Sequence, residues 1–179
     1  MIMADIFAVF GTLLALGIAL PGLLLTWQLL LPSLVNRAEQ RLARTPWLCF
    51  FIGTGFLIGY LIPVTILFNL PWGGFKLMGF IAILGLLAFT SLGAAGLATL
   101  MGQRLHHLGL NSSAAGATIR GAVAMELAAV FPLIGWFIFI PLAFIVTLGA
   151  TLFALLGWMP RSTPRVVIPS SSQEISAPI

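Results

Sequence analysis

The chain has 179 residues, of which 60% are hydrophobic and 7% charged, with a mean hydropathy of +1.15 and a formal net charge of +4. A soluble domain carries roughly 25% charged residues, so this chain has too few to cover a water-facing surface, and a soluble enzyme or binding domain is excluded. The eight basic residues are scattered through loops and a tail, which offers no basic face to neutralise phosphates and argues against nucleic acid as a partner.

The apolar runs are long and lack the period-two alternation of an outer-membrane barrel, so the spans are helices. The first run, residues 6–31, is longer than a signal-peptide core and has no Lys or Arg before it. It reads as an uncleaved first span, long enough to cross a hydrocarbon core of about 30 Å. Pro21 within it predicts a kink.

Residues 32–46 follow, with Leu34, Val35, Ala38 and Leu42 at helical spacing and Arg37, Arg41 and Arg44 on the other side. Pro32-Ser33 is a start signal and Pro46 a stop. The pattern predicts a short basic amphipathic helix at the membrane surface. Three arginines are fewer than the polybasic cluster usual for recognising a specific anionic lipid.

The second span covers residues 47–68 and carries a G-x-x-x-G pair, Gly55 and Gly59. Such a pair lets helix backbones approach closely, and packing within the chain is expected ahead of dimerisation. The single cysteine, Cys49, opens this span. It has no intramolecular disulfide partner and reads as a small apolar residue. A short turn, Asn69-Leu-Pro-Trp-Gly-Gly-Phe-Lys76, makes the second and third spans an antiparallel hairpin. The third span, residues 77–101, ends in a small-residue stripe of Ala94, Ala98 and Gly102.

Residues 103–119 form the largest hydrophilic interruption before the tail, with Arg104, His106 and His107 at its start. Adjacent histidines point in different directions on a helix, and no Cys or Asp completes a ligand set. From Gly121 to Trp158 the chain holds 38 residues with one charge, Glu126. One straight helix of that length would measure about 57 Å, far more than the core. The stretch must therefore divide, and Pro132 with Gly135 marks the break. Residues 118–131, carrying Arg120 and Glu126, are expected to form an interfacial or partly inserted helix, with a true fifth crossing as the alternative. The last span is then residues 133–158.

Residues 160–179 form a Pro/Ser-rich tail of disordered composition, which leaves residues 1–159 as the transmembrane domain. The expected fold class is all-α: an integral membrane bundle of four transmembrane helices plus short interfacial or re-entrant helices. Arg37, Arg41, Arg44, Arg104 and Arg120 lie in the first and third loops, against Lys76, Arg161 and Arg165 on the other side. With four crossings the positive-inside rule places both termini outside. The five tryptophans, Trp27, Trp47, Trp72, Trp136 and Trp158, fall near span boundaries, as an aromatic belt does.

Catalytic patterns are missing. Asp5, Glu39, Glu126 and Glu174 lie in different regions, so no carboxylate pair forms. No phosphate-binding glycine loop is present, and no catalytic residue, cofactor or metal is expected. The one chemical candidate is Glu126, because an ionisable residue in an apolar segment marks a functional site with a partner to be named. The candidate partners are Arg104, His106 and His107; Arg120, six residues away, lies off its face. Glu126 then either locks a re-entrant helix to the bundle or lines a proton or cation path.

A family resemblance rests on several short motifs: Arg44-Thr45-Pro46 closing the basic helix, Gly102 to Leu105 leaving the hairpin, Glu126-Leu127-Ala128, Pro132, Gly135-Trp136 and Leu148-Gly149-Ala150. In this order, over residues 36–158, they resemble the uncharacterised prokaryotic membrane domain that follows bactofilin-like, polymer-forming cytoskeletal repeats. Two features depart from that pattern. The hairpin turn reads Leu70-Pro71-Trp72-Gly73 in place of Gly-Ile-Pro, and no polymer-forming repeat is present. The resemblance implies a bacterial membrane anchor or assembly module and names no catalytic residue. The expected role is a non-enzymatic scaffold, anchor or accessory subunit in a bacterial cytoplasmic membrane. Its partners would be the lipid bilayer and other membrane subunits or a homo-oligomer; the alternative is a small transporter or channel-like protein using Glu126.

Overall fold

A computed structural model describes residues 2–106 and 113–158. Among them every regular element is helical: α1 (Ile2–Leu30), α2 (Pro32–Arg44), α3 (Pro46–Asn69), α4 (Gly73–His106), α5 (Ala114–Val130) and α6 (Ile140–Leu156), the last led by a π-helical turn, Gly135–Phe139. Three stretches are long and apolar enough to cross a membrane: α3, most of α4, and Gly135–Leu156. Gly17–Leu30 taken with α2 would make a fourth, bent by 109°. The chain is an all-α membrane bundle with three to four candidate spans and shorter helices. The tail, residues 160–179, lies outside the described residues.

α1 continues through Pro21 as one helix; the sharp turn comes at Leu31, where Pro32 opens α2. α2 lays Val35, Ala38 and Leu42 against the bundle. A β-carbon on Gly96 of α4 would meet Ala38 Cβ and the Glu39 main-chain nitrogen at 2.9 Å, so α2 rests directly on the α4 backbone. Arg41 departs from the sequence reading. It is only 8% exposed, although it was expected with Arg37 and Arg44 on the outer side.

The register of the remaining helices follows from close contacts. α3 and α4 are antiparallel neighbours: Phe68 packs edge-on to Phe80, Tyr60 donates to the Ala82 carbonyl at 2.9 Å, and Phe56 stacks on Phe89. β-Carbons on Gly53 and Gly149 would overlap the carbonyls of Ile145 and Cys49 respectively, so α3 and α6 touch backbone to backbone and run antiparallel. Gly93 of α4 meets the Thr147 carbonyl of α6 in the same way.

α5, expected as an interfacial or partly inserted helix, lies against the bundle. It begins at Ser113, whose hydroxyl caps the Gly116 N–H at 3.3 Å, and it packs along α4. β-Carbons on Gly102 and Gly121 would overlap the carbonyls of Ala117 and Ala98. The Ala98 and Gly102 stripe is thus the seat of α5, because small residues let apolar helices approach where lipid supplies no hydrophobic drive.

The Gly55 and Gly59 pair does not serve that purpose. A β-carbon at either would meet nothing within 4 Å. Close packing of α3 falls instead at Gly53, which lies on another helix face from Gly55 and Gly59. G-x-x-x-G spacing puts two glycines on one face but leaves open which face meets a neighbour.

α5 ends at Val130, and residues 131–134 turn the chain. A β-carbon on Gly135 would lie 2.6 Å from the Ala128 carbonyl, so the chain folds back tightly on α5. The Ile140 N–H then bonds Gly135 O, five residues back, and Pro141, which lacks an N–H, falls in the first turn of α6. Because α6 runs parallel to α4, it finishes at the end of the bundle that holds α2 and the start of α3. Gly157 closes it in a left-handed conformation, φ 66°, the usual glycine helix stop. This corrects the expected sidedness. The described chain leaves α6 at the same end as the first loop, since α5 runs antiparallel to α4 and α6 returns parallel to it.

Two outcomes test this packing. Gly121→Val should lower stability in detergent by about 1–3 kcal/mol, the usual cost of overpacking, whereas Gly55→Val should leave the melting temperature unchanged; equal effects would overturn the assignment of faces. Cys49 is buried and is the only cysteine, so added cysteines can be labelled selectively. In sealed vesicles Arg44→Cys and Trp158→Cys should react from one side and Trp72→Cys from the other. Labelling of Trp158→Cys from the side of Trp72→Cys would refute the α5–α6 hairpin.

Candidate functional site

The polar residues inside the bundle are few, and most are already paired. Thr90, Thr99 and Thr151 donate to the carbonyls of Leu86, Ala95 and Thr147, one turn back, at 2.7, 2.9 and 2.8 Å. Thr147 does the same with Ala143 at 2.7 Å. Such back-bonding satisfies a hydroxyl without help from another helix. Two contacts cross between helices. Thr99 and Thr118 share a hydrogen bond at 3.1 Å between α4 and α5. The Trp27 indole donates to Ser91 at 2.8 Å between α1 and α4, and Ser91 in turn donates to the Ala88 carbonyl at 2.7 Å. Trp27 is therefore an internal partner, not a belt residue.

Glu126 stands in the α1–α5 seam. Its Oε2 lies 3.8 Å from where a β-carbon on Gly17 would sit, so it faces protein. Its Oε1 is buried with no hydrogen-bond partner. The expected partners are out of reach. The pairs Gly102–Ala117 and Ala98–Gly121 set Glu126 level with Gly93 of α4, eleven residues from Arg104, or about 16 Å along the helix. His106, the last residue of α4, lies farther still, and His107 is outside the described residues. Arg120 is on α5, six residues before Glu126. The structure thus does not gather Glu126, Arg104 and His106 into one site. Pro132 and Gly135 lie at the hairpin turn beyond α5.

Sequence reasoning missed two features. The first is the α1 face Gly17, Pro21, Leu24 and Gln28, a stripe at helical spacing. Pro21 and Leu24 are buried on it, and Gln28 Oε1 is also buried without a partner. The uniform hydropathy of residues 6–31 hides that face. The second is Arg41. Its guanidinium lies 4.5 Å over the Phe153 ring centroid and its Nε donates to the Trp158 carbonyl. A cation at a helix C-terminus complements the helix dipole and gains further from an aromatic face. Arg41 sits in the same turn as Leu42, at the margin of the apolar face, which in hindsight is the only trace of this role in the sequence.

Beside it on α2, Glu39 is half-buried. Burial raises its carboxyl above the ordinary glutamate value near 4.5, and a side-chain hydrogen bond with Gln103 acts in the opposite direction. Among the described residues no group of three or more His, Cys, Asp or Glu could hold a metal ion. An open apolar concavity on α3 is lined by Ile58, Ile62, Ile66 and their neighbours, suited to lipid chains. No family model, curated protein or solved structure matches the chain.

Glu39 yields a test with a defined sign. A carboxyl raised in the folded state favours folding while protonated, so that contribution is full at acid pH and is lost as pH rises through the folded value. The melting temperature should therefore fall as pH rises above the ordinary glutamate value near 4.5, and Glu39→Gln should flatten that part of the profile and melt higher at neutral pH. An unchanged profile would show that Glu39 is not desolvated.

Proposed function

We propose that this chain is a non-enzymatic membrane scaffold, anchor or accessory subunit, in the cytoplasmic membrane of a bacterium. One observation carries the reading: most internal polar groups are satisfied within a helix or between neighbours, and the helices meet at backbone separation. The threonines bond their own helices, Thr99–Thr118 and Trp27–Ser91 tie neighbours, and glycines close the α3–α6, α4–α6 and α4–α5 contacts to backbone separation. Such a core is built for a fixed shape. The resemblance to the membrane domain associated with polymer-forming repeats is consistent with an anchoring role. The charge pattern fits the bacterial setting too. With α6 ending beside α2, Arg37, Arg41, Arg44 and Arg104 share a side with the chain that leads on to Arg161 and Arg165, while Lys76 stands at the opposite end. That bias orients the α2 end toward the cytoplasm. A second reading, a small proton or cation transporter, draws on the unpartnered Oε1 of Glu126.

The two separate in one pair of measurements. Copurification from native membranes in mild detergent should yield a stoichiometric membrane partner or a homo-oligomer, and proteoliposomes of the pure protein should show no proton or cation flux above empty vesicles. A monomer without partners, with flux abolished by Glu126→Gln at normal abundance, would refute the scaffold reading and establish the transporter.

A further inference from the structure

An unpartnered carboxyl oxygen and a break in the α1 hydrogen-bond ladder lie side by side where α1 packs on α5. The break concerns a main-chain carbonyl. Pro21 lies inside α1 and is buried. Proline has no N–H, so the carbonyl four residues earlier, that of Gly17, loses its helical donor. The carboxyl belongs to Glu126, with Oε1 buried and unpartnered and Oε2 3.8 Å from the β-position of Gly17. Gly17 and Pro21 are four residues apart and share one face of α1. The carboxyl lies at ordinary contact distance from the β-position of Gly17, beside the backbone there.

Two acceptors cannot satisfy each other, and a bare carboxylate in hydrocarbon is the costliest state of all. One proton turns the pair into donor and acceptor. We propose that Glu126 is carried as the neutral acid and donates its hydrogen to the Gly17 carbonyl that Pro21 leaves open, forming a proton-bound joint between α1 and α5.

The surrounding charges agree. α1 from Gly17 to Leu30, α4 between Lys76 and Arg104, and the chain from Gly135 to Leu156 contain no charged or histidine residue. On α5 the nearest is Arg120, six residues earlier; on α1 it is Asp5, twelve residues before Gly17, or about 18 Å along the axis. Arg104 and His106 are at the far end of α4. Nothing in the helices packed around Glu126 brings a cation level with its carboxyl. The joint is internal to the chain, goes beyond the scaffold reading, and does not depend on which partner the bundle serves.

Infrared spectroscopy of the full-length protein in lipid nanodiscs tests it directly. The chain has three glutamates, Glu39, Glu126 and Glu174. With isotope-labelled glutamate and the changes Glu39→Gln and Glu174→Gln, the labelled carboxyl signal comes from Glu126 alone, whose site is untouched. At neutral pH the labelled band should be that of a protonated, hydrogen-bonded acid, and it should be the same in sodium, potassium or choline chloride. Adding Pro21→Ala, which returns an N–H to Gly17, should shift the band toward that of a more weakly bonded acid. A carboxylate band at neutral pH would overturn the proposal. A band that changes with the cation would identify a cation site instead, and a protonated band indifferent to Pro21→Ala would remove Gly17 as the acceptor.

Discussion

Apolar helices gain little by leaving lipid for one another, so what holds this bundle is how closely their backbones can approach. Four helix contacts pass through a glycine with no room for a β-carbon: Gly53 and Gly149 between α3 and α6, Gly93 between α4 and α6, Gly102 and Gly121 between α4 and α5, and Gly96 under α2. At these points dispersion contacts between main chains replace the hydrophobic effect. α4 takes part in most of them and is the axis on which α2, α5 and α6 are assembled. The bulky apolar side chains point the other way, with Ile58, Ile62, Leu77, Ile81 and Leu84 exposed for lipid.

That constraint explains the hairpin of α5 and α6. α5 is poor in large residues on the side that meets α4, so it can lie along α4 from the Gly102 end downward. The chain must then turn back, and Gly135, the buried residue of the turn, permits it to touch the Ala128 carbonyl. The same fold carries α6 back to the α2 end. There Arg41 reaches the Trp158 carbonyl just past the end of α6 and lies over Phe153. A basic residue that looks like a surface charge in the sequence becomes the clasp between the first loop and the end of the bundle.

Glu126 shows how far position alone can mislead. In the sequence its nearest ionisable neighbours are Arg120, His107, His106 and Arg104, all toward the α4–α5 connection. In the fold, the antiparallel register moves it away from that end by the length of three helical turns and sets it against α1. Its environment is made by residues more than a hundred positions earlier in the chain, Gly17 and Pro21. Their meaning as a break in the α1 hydrogen-bond ladder appears only when a carboxyl is seen beside them.

The sequence by itself determined the class, the helical nature of the spans, the antiparallel pairing of α3 and α4, and the amphipathic α2. Each of these follows from local quantities: hydropathy over a window, helical spacing of Leu34, Val35, Ala38 and Leu42, or a turn too short to do anything but reverse the chain. It also singled out the Ala94, Ala98 and Gly102 stripe and the division of the chain near Pro132. Only the tertiary structure decided which glycines touch a neighbour, that α5 packs along α4, that α6 returns to the side of α2, and that Arg41 is buried. The physical reason is common to the first three, which concern the uniformly apolar helices. In a span where nearly every residue is apolar, no polar face marks the outside, so hydropathy carries no information about direction. Which face of each helix looks inward is settled by the fit of one backbone against another, a property of pairs of helices that no single stretch of sequence contains.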